Sequence, residues 1–290
     1  MKAVFLVATM MLASSAPELP TQGEQIDMRA FDLVFADEFD DLSVNPWLLE
    51  NKRWIAHTPW NGDFGDARFL NPGPDGPFAI ENGKLAITAR KTRPDRWGSG
   101  LLAAGDKTGA GTGERFGYFE ARMKMPPGPG LWPAFWLVSL RPTSVKSPKI
   151  EIDVVEYYGH RTHTYSLAMH VWKLREEDGS NRSTGDRIPV SPGSLTQRFH
   201  TYGVEVDPKW VTYYLDRREV ARFPTPAEHH DPLHPIVNLA MGPGYPIDRT
   251  PDPSTLYVDY VRIYSRVAPA GDRECGTPQS SERMEIDAKD

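Results

Sequence analysis

The feature that most constrains the fold of this chain is a series of short segments rich in β-branched and aromatic residues, each bounded by turn formers. Such segments are typical of β-strands. The chain shows no sustained 3.6-residue period of apolar residues and no alternation of strands with helices, which argues against an α/β fold. We therefore predict an all-β protein, namely a sandwich, a jelly roll or a barrel. The clearest predicted strands are 85–90, 117–125, 199–206, 211–215 and 256–264.

The composition agrees with a folded, loop-rich protein. The 27 prolines and 24 glycines of the 290 residues lie mostly between the predicted strands, and they are too few for an aperiodic disordered chain. Eight Trp, 11 Tyr and 12 Phe provide large apolar side chains for a core.

Charge and cysteine content exclude several classes of function. The chain has 33 basic and 39 acidic residues, and no run of five like charges gives it the basic footprint of a nucleic-acid-binding protein. The single cysteine, Cys275, excludes an intramolecular disulfide framework and a cysteine-rich zinc site. We expect no nucleic-acid partner, and we expect a monomer.

The amino-terminal 1–16 segment has the pattern of a secretory signal peptide. Lys2 precedes an apolar run over 3–13, and small residues follow at 14–16. The apolar run is too short for a membrane span, although an ordinary disordered terminus remains the alternative. We predict a secreted or periplasmic protein without a membrane anchor in the mature form. One domain is expected over 24–265, followed by a polar, flexible tail over 266–290.

Potential chemistry is concentrated in the strand-like segment 149–158. Residues two apart in a strand share a face, so Glu151 and Asp153 point the same way. Glu156 has odd spacing and would point to the other face. A β-bulge at Val154–Val155 would return it to the face of the other two acids.

Three carboxylates on one face shift each other's pKa values, so that one can stay protonated near neutral pH. A protonated and an ionised carboxyl on either side of one bond are the groups that glycoside hydrolysis requires. From the pattern alone, two alternatives stay open: a half-exposed strand with solvated acids, and a calcium site.

Further sequence blocks surround the acidic segment and occur in a fixed order. They are 35–39, 82–85, 117–126, 130–137, 151–156, 238–241 and 258–264. Together they resemble glycoside hydrolase family 16, in the laminarinase-like branch that carries an extra residue between the second and third acids. The resemblance implies a jelly-roll β-sandwich of two curved antiparallel sheets, whose concave face forms a cleft for a polysaccharide. It also implies retaining endo-hydrolysis of β-linked glycans, with no catalytic cofactor.

The resemblance assigns roles to the three acids. Glu151 would be the nucleophile that forms the glycosyl-enzyme intermediate, and Glu156 would be the general acid and then the general base. Asp153 would hydrogen-bond one or both glutamates and keep their protonation states apart.

Substrate-binding candidates are side chains that match a family block or lie in a loop that precedes one. Trp132 and Trp136 share a face of a predicted strand, and we expect Trp132 to stack on a sugar unless both belong to the core. In the early loop 57–68, Trp60 and Asp66 are predicted to contact sugar in the negative subsites, and a plain loop is the alternative. Besides Asp66, the predicted sugar-binding residues are Trp60, Trp132, His170, Trp172 and Asn238.

Two further predictions concern metals. The resemblance also allows a structural calcium far from the cleft, near Glu38 and Asp259, which lie in matching blocks. His229, His230 and His234 are expected to be loop histidines and not metal ligands, because no supporting ligand pattern accompanies them.

The substrate is less constrained than the chemistry. Both the loop 57–68 and the segment 242–246 depart from the usual laminarinase pattern. A β-1,3-glucan, a mixed-linkage glucan and a bacterial exopolysaccharide therefore remain open as substrates. The alternative functions are a non-catalytic carbohydrate-binding β-sandwich and a transglycosylase that uses the same covalent intermediate.

Overall fold

The computed structural model describes residues 23–173 and 179–267. The predicted signal peptide, Cys275 and nearly all of the predicted tail lie outside the described residues. Among the described residues, no helix is long and apolar enough to cross a membrane.

The described residues form β-strands joined by turns and loops, with a 3-10 turn at Met28–Ala30 and one short helix, α1, at Ser194–Gln197. The strands of the first half are β1 (Phe31–Asp37), β2 (Val44–Asn45), β3 (Trp54–Ile55), β4 (Ala67–Phe69), β5 (Phe78–Ile80), β6 (Leu85–Arg93), β7 (Arg96–Ser99), β8 (Leu101–Ala103) and β9 (Gly117–Lys124). Those of the second half are β10 (Leu131–Ser139), β11 (Lys149–Glu156), β12 (Thr164–Trp172), β13 (Arg182–Pro189), β14 (His200–Val206), β15 (Trp210–Leu215), β16 (Arg218–Pro224), β17 (Leu233–Met241) and β18 (Ser254–Arg266).

These strands form two packed sheets, as an all-β sandwich requires. The ten-stranded sheet has the order β16-β15-β14-β9-β18-β6-β7-β4, with β1 paired to β18 and β5 to β6. The eight-stranded sheet has the order β13-β12-β11-β10-β17-β8-β3-β2. The pairings are antiparallel, as the resemblance implies, except that the short pairs β2–β3 and β4–β7 are parallel. Both pairs lie at sheet edges, where loops bring the strands alongside each other.

The main core lies between the two sheets. In β12, burial alternates along the strand, so that Tyr165, Leu167, Met169 and Val171 face the core. The intervening residues, which include His170 and Trp172, face outward from the eight-stranded sheet. This period of two is what places one row of polar side chains on a single sheet face.

The five clearest predicted strands are all confirmed, with end points that differ by a few residues. The turn at 81–84 shows why the sequence is informative here. Asn82 and Gly83 have positive φ angles of 53° and 67°, and Glu81 and Lys84 exchange backbone hydrogen bonds. Asn-Gly is the pair that favours this tight hairpin turn between β5 and β6.

Candidate active site

A cleft of about 330 Å³ lies on the outer face of the eight-stranded sheet. The three acids of β11 line one part of it, and aromatic side chains line much of the rest. The full lining consists of Trp60, Phe64, Trp132, Ala134, Trp136, Glu151, Asp153, Glu156, His170 and Asn238.

The predicted β-bulge brings Glu156 to the same face as the other two acids. Asp153 and Glu156 are three residues apart in β11, but their partners Ala168 and Ser166 in β12 are only two apart. The pairing with β10 shifts at the same place. Val154 and Val155 both point into the core, and they absorb the extra residue between the acids.

Glu151 is largely buried and accepts a hydrogen bond from the indole of Trp172. The Trp172 Nε1 lies 3.0 Å from Oε2 of Glu151. Trp172 is not among the residues that line the cleft, and its indole supports Glu151 from beside it. Sugar binding by Trp172 stays a prediction.

Asp153 lies between the glutamates and is 7% exposed. Its Oδ2 is 3.0 Å from Nε2 of His170, and the other ring nitrogen of His170 is 2.6 Å from the Ser183 hydroxyl. Both nitrogens of the imidazole therefore have an acceptor, which suits a protonated ring. One oxygen or nitrogen each from Glu151, Asp153 and His170 lies within 4.8 Å of the others.

Glu156 accepts two hydrogen bonds on the same oxygen. Trp132 Nε1 donates to Oε1 over 2.9 Å, and the Tyr158 hydroxyl donates to the same atom over 3.1 Å. Among the described residues, none donates a hydrogen bond to Oε2 of Glu156. That oxygen is available to carry a proton toward a ligand in the cleft.

Burial raises the pKa of each of the three acids. It raises the pKa of Glu151 to about 7, with a further contribution from the Asp153 carboxylate. It raises the pKa of Asp153 to about 6, against the opposing hydrogen bond from His170. The pKa of Glu156 is raised as well, against the hydrogen bonds that it accepts. The hydrogen bond to Asp153 raises the pKa of His170. The cluster therefore retains a proton near neutral pH, as acid–base catalysis requires.

Asn238 holds the two tryptophans of β10 in place. Its side-chain oxygen accepts from Trp136 Nε1 over 2.8 Å, and its amide nitrogen donates to the Trp132 carbonyl. Asn238 is fully buried beneath the cleft, and both Trp132 and Trp136 line it. The expectation that Trp132 faces the cleft agrees with the structure, but Trp136 lines it too.

The early loop contributes Trp60, as predicted, together with Phe64. Trp60 is 40% exposed, and its ring lies 6.0 Å from that of Trp136. Asp66 is not among the cleft-lining residues; its side chain lies close to Gly242.

Sequence reasoning missed Tyr158 and Ser183 as site residues. Tyr158 lies next to the acidic segment and could have been singled out as a hydroxyl donor. No signal marked Ser183, because it reaches His170 only through the pairing of β12 with β13.

The predicted calcium ligands are engaged in ion pairs. Glu38 accepts two hydrogen bonds from Arg262, and Asp259 is paired with Lys84 and Arg122. A calcium ion at either carboxylate would have to displace these cations. Calcium binding there stays a prediction.

Of the three histidines that were predicted to lie in loops, two do and one does not. His229 and His230 lie in the loop before β17, whereas His234 lies within β17 and is 2% exposed. Its position in a strand was not anticipated, because Pro235 directly follows it.

Comparisons with known proteins agree with this architecture. The X-ray structure of the laminarinase from Rhodothermus marinus superposes with a TM-score of 0.63 at 25% sequence identity, covering 82% of this chain and 98% of that chain. This similarity confirms the predicted jelly-roll sandwich.

The sequence relatives give the same result. The chain is 35% identical to endo-1,3-1,4-beta-glycanase EglC and 32% identical to endo-1,3-1,4-beta-glycanase ExsH, both of Rhizobium meliloti (strain 1021). Each match covers 83% of this chain and 53% of the relative, so the chain spans about half the length of these two proteins. The sequence model of Glycosyl hydrolases family 16 matches residues 77–262. The match covers more than half of the chain, and the chain therefore belongs to glycosyl hydrolases family 16.

Proposed function

We propose that this protein is a retaining, endo-acting glycoside hydrolase that cleaves internal bonds of a β-linked polysaccharide. The observation that carries the proposal is the row of three acids on one wall of the cleft, a buried Asp153 between two half-buried glutamates, each with a raised pKa. The relatives named as endo-1,3-1,4-beta-glycanases support a β-1,3- or mixed-linkage glycan as substrate.

In this proposal, Glu151 attacks the anomeric carbon and forms a covalent glycosyl-enzyme intermediate. Glu156 donates a proton to the leaving oxygen and then takes a proton from the attacking water. The Oε2 atom of Glu156 is available for these proton transfers, while Trp132 and Tyr158 donate hydrogen bonds to Oε1. Asp153, paired with His170, lies between the two glutamates and separates their protonation states. No cofactor is needed for these steps.

The aromatic surfaces of the cleft are proposed to bind sugar rings. Trp60, Phe64 and Trp132 present apolar faces along the cleft, and pyranose rings offer apolar faces of their own. These relatives are named as glycanases, which are hydrolytic enzymes, so the similarity favours neither a binding module nor a transglycosylase.

A substrate screen tests the proposal. Laminarin, mixed-linkage glucan, agar, carrageenan and bacterial exopolysaccharides are incubated with the protein, and new oligosaccharides are separated and sized. We expect oligosaccharides from at least one β-glucan, with the β-anomer formed first in the NMR time course. Glu151→Gln should abolish hydrolysis while the protein stays folded, and wild-type activity in that variant would contradict the assignment.

Export is proposed on the sequence pattern of 1–16 alone. Expression of the full chain in a bacterial host, followed by mass spectrometry of the amino terminus, tests it. Recovery of an uncleaved chain from the cytoplasm would contradict the proposal.

A further inference from the structure

A second cavity of about 280 Å³ lies beside the catalytic cleft and shares Trp60 with it as a common wall. We call it the Lys149 pocket. Its charged and ionisable lining residues are Asp106, Arg141, Lys146, Lys149 and His234. A cavity lined by three cationic side chains in a protein of net charge −6 is a local feature and does not follow from overall composition.

Lys149 connects this pocket to the catalytic strand. It precedes Glu151 by two residues in β11, so both side chains leave the same sheet face, with α-carbons about 6.6 Å apart. Its ammonium lies 4.1 Å from the ring centre of Trp60. Within the described part of the chain, no carboxylate oxygen lies within 4.0 Å of that ammonium. Lys149 is thus a half-buried cation without a direct ionic partner.

The other charges leave the pocket with an excess of positive charge. Arg141 is already paired with Asp231 over 2.9 Å, so its charge is largely compensated. Lys146 is exposed at the rim, where it has only a long contact of 3.4 Å to the Thr143 carbonyl.

Asp106, the one acid that lines the pocket, already accepts hydrogen bonds from within the protein. The Asp106 carboxylate accepts hydrogen bonds from the backbone of Leu49 and from both the amide and hydroxyl of Thr108. Burial lowers the pKa of His234 to about 3, so this floor residue is neutral and adds no charge.

The cost of a partly desolvated cation that has no direct ionic partner is relieved when an anion enters the site. Burial lowers the pKa of Lys149, which is the sign of such a cost. The pocket shares Trp60 with the catalytic cleft, so an anion in the pocket would lie next to the site where the cleft holds a glycan.

We propose that the Lys149 pocket binds a carboxylate carried by the glycan, close to the bond that is cleaved. This inference rests on the proposed function and specifies its substrate class: acidic β-glycans are preferred over neutral ones of the same backbone. Lys149 is the specificity-determining residue, and Lys146 assists at the rim.

Matched polymers test the proposal. Laminarin and mixed-linkage glucan are esterified with succinic anhydride, which adds carboxylates. Separate samples are esterified to the same degree with acetic anhydride, which adds neutral groups through the same ester bond. The readout is the ratio of kcat/KM on the succinylated polymer to kcat/KM on the acetylated polymer. We expect a ratio of about ten for the wild type, as for one charge-assisted contact. Added salt should lower the ratio.

Four variants distinguish recognition of the carboxylate by the pocket from general effects of substitution on activity. Lys149→Met should bring the ratio close to one, Lys149→Arg should largely retain it, and Lys146→Ala should lower it partially. Lys209→Met is the matched control, since Lys209 is an exposed lysine at the β14–β15 turn, and it should leave the ratio unchanged. A wild-type ratio of one, or equal losses on both polymers in Lys149→Met, would overturn the proposal.

A binding measurement keeps the test independent of hydrolysis. Calorimetry on Glu151→Gln with succinylated and acetylated oligosaccharides should give tighter binding of the succinylated form, and the Lys149→Met change should remove the difference. Absence of hydrolysis on every polymer would overturn the proposed function, whereas equal binding of the two oligosaccharides would overturn the Lys149 pocket alone.

Discussion

The indole N–H of Trp172 donates to Oε2 of Glu151 over 3.0 Å, although the residue paired with Trp172 across the β11–β12 ladder is Lys149. His170 shows the same offset, because it is paired with Glu151 but bonds to Asp153. Both side chains of β12 thus lean along the sheet and reach the acid two residues further along β11. Diagonal neighbours on one sheet face lie within reach of such long side chains. This offset supplies a nitrogen donor to each of the two acids.

Trp172→Phe should lower kcat about tenfold or more and leave the protein folded. The change keeps most of the ring but removes the hydrogen bond to Glu151, and a hydrogen bond to a charged group contributes about 1.5–3 kcal/mol. The measurement is steady-state kinetics on the best substrate. Trp210→Phe, at an exposed site on β15, serves as the control. Unchanged kcat in Trp172→Phe would show that this hydrogen bond does not support Glu151.

His170→Gln should move the acidic limb of the pH–rate profile to higher pH. In the wild type, the hydrogen bond from His170 lowers the pKa of Asp153, and the charge of His170 also lowers the pKa of Glu151. Without that charge, both acids ionise at higher pH, so the ionised nucleophile forms later in the titration.

The profile of kcat/KM from pH 4 to 9 checks the His170 prediction. Ser183→Ala leaves the imidazole in place and should shift the limb less. An acidic limb at the same pH in His170→Gln would contradict the electrostatic role of His170.

Glu151→Gln should stabilise the protein at neutral pH but not at acidic pH. The folded-state pKa of Glu151 is about 7, above its ordinary value of 4.5. Between these two values the folded protein holds a proton that the unfolded chain has lost, so wild-type stability falls as the pH rises through this window. Glutamine removes this loss.

Calorimetric Tm values at pH 4 and pH 8 measure the effect. We expect similar Tm values for the two proteins at pH 4 and a higher Tm for Glu151→Gln at pH 8. A variant that is less stable than the wild type at pH 8 would contradict the raised pKa of Glu151.

Deletion of Val154 should remove the bulge while keeping the acids on one face. The shortened strand would carry its acids at regular intervals of two, which needs no bulge. We expect a folded protein with reduced but measurable activity, because Val154 also packs in the core.

Insertion of a second valine after Val155 is the counterpart of that deletion. It adds another residue between Asp153 and Glu156 and displaces Glu156 from its hydrogen bonds with Trp132 and Tyr158. Activity should be lost. Reducing-end release and circular dichroism distinguish the two variants, and an inactive deletion beside an active insertion would contradict the role assigned to the bulge.

The sequence was most informative about features that depend only on neighbouring residues, such as strand alternation and turn conformation. Alternation in a strand has a period of two, so the shared face of Glu151 and Asp153 follows from spacing alone. The odd spacing of Glu156 required a bulge at Val154–Val155, and the pairing shift there confirms it. The Asn82–Gly83 turn was equally readable, because only certain residues adopt positive φ easily.

Contacts between distant segments depended on the register of the sheets. Asn238 supports Trp136 across 102 positions, and Ser183 reaches His170 only because β13 pairs with β12 in one particular register. No spacing in the sequence encodes such a register, since many pairings would satisfy the same alternation.

The sequence by itself determined that the chain is all-β and that Glu151 and Asp153 share one strand face, because both depend on the period of a single strand. The bulge that brings Glu156 to that face was a prediction, and the pairing of β11 with its neighbours confirmed it. The tertiary structure alone decided that Trp136 joins Trp132 in the cleft, that His170 bonds to Asp153 rather than to its ladder partner, and that the Lys149 ammonium lies over the ring of Trp60. These relationships arise from how strands and loops pack against one another, and that packing is set by the whole core at once.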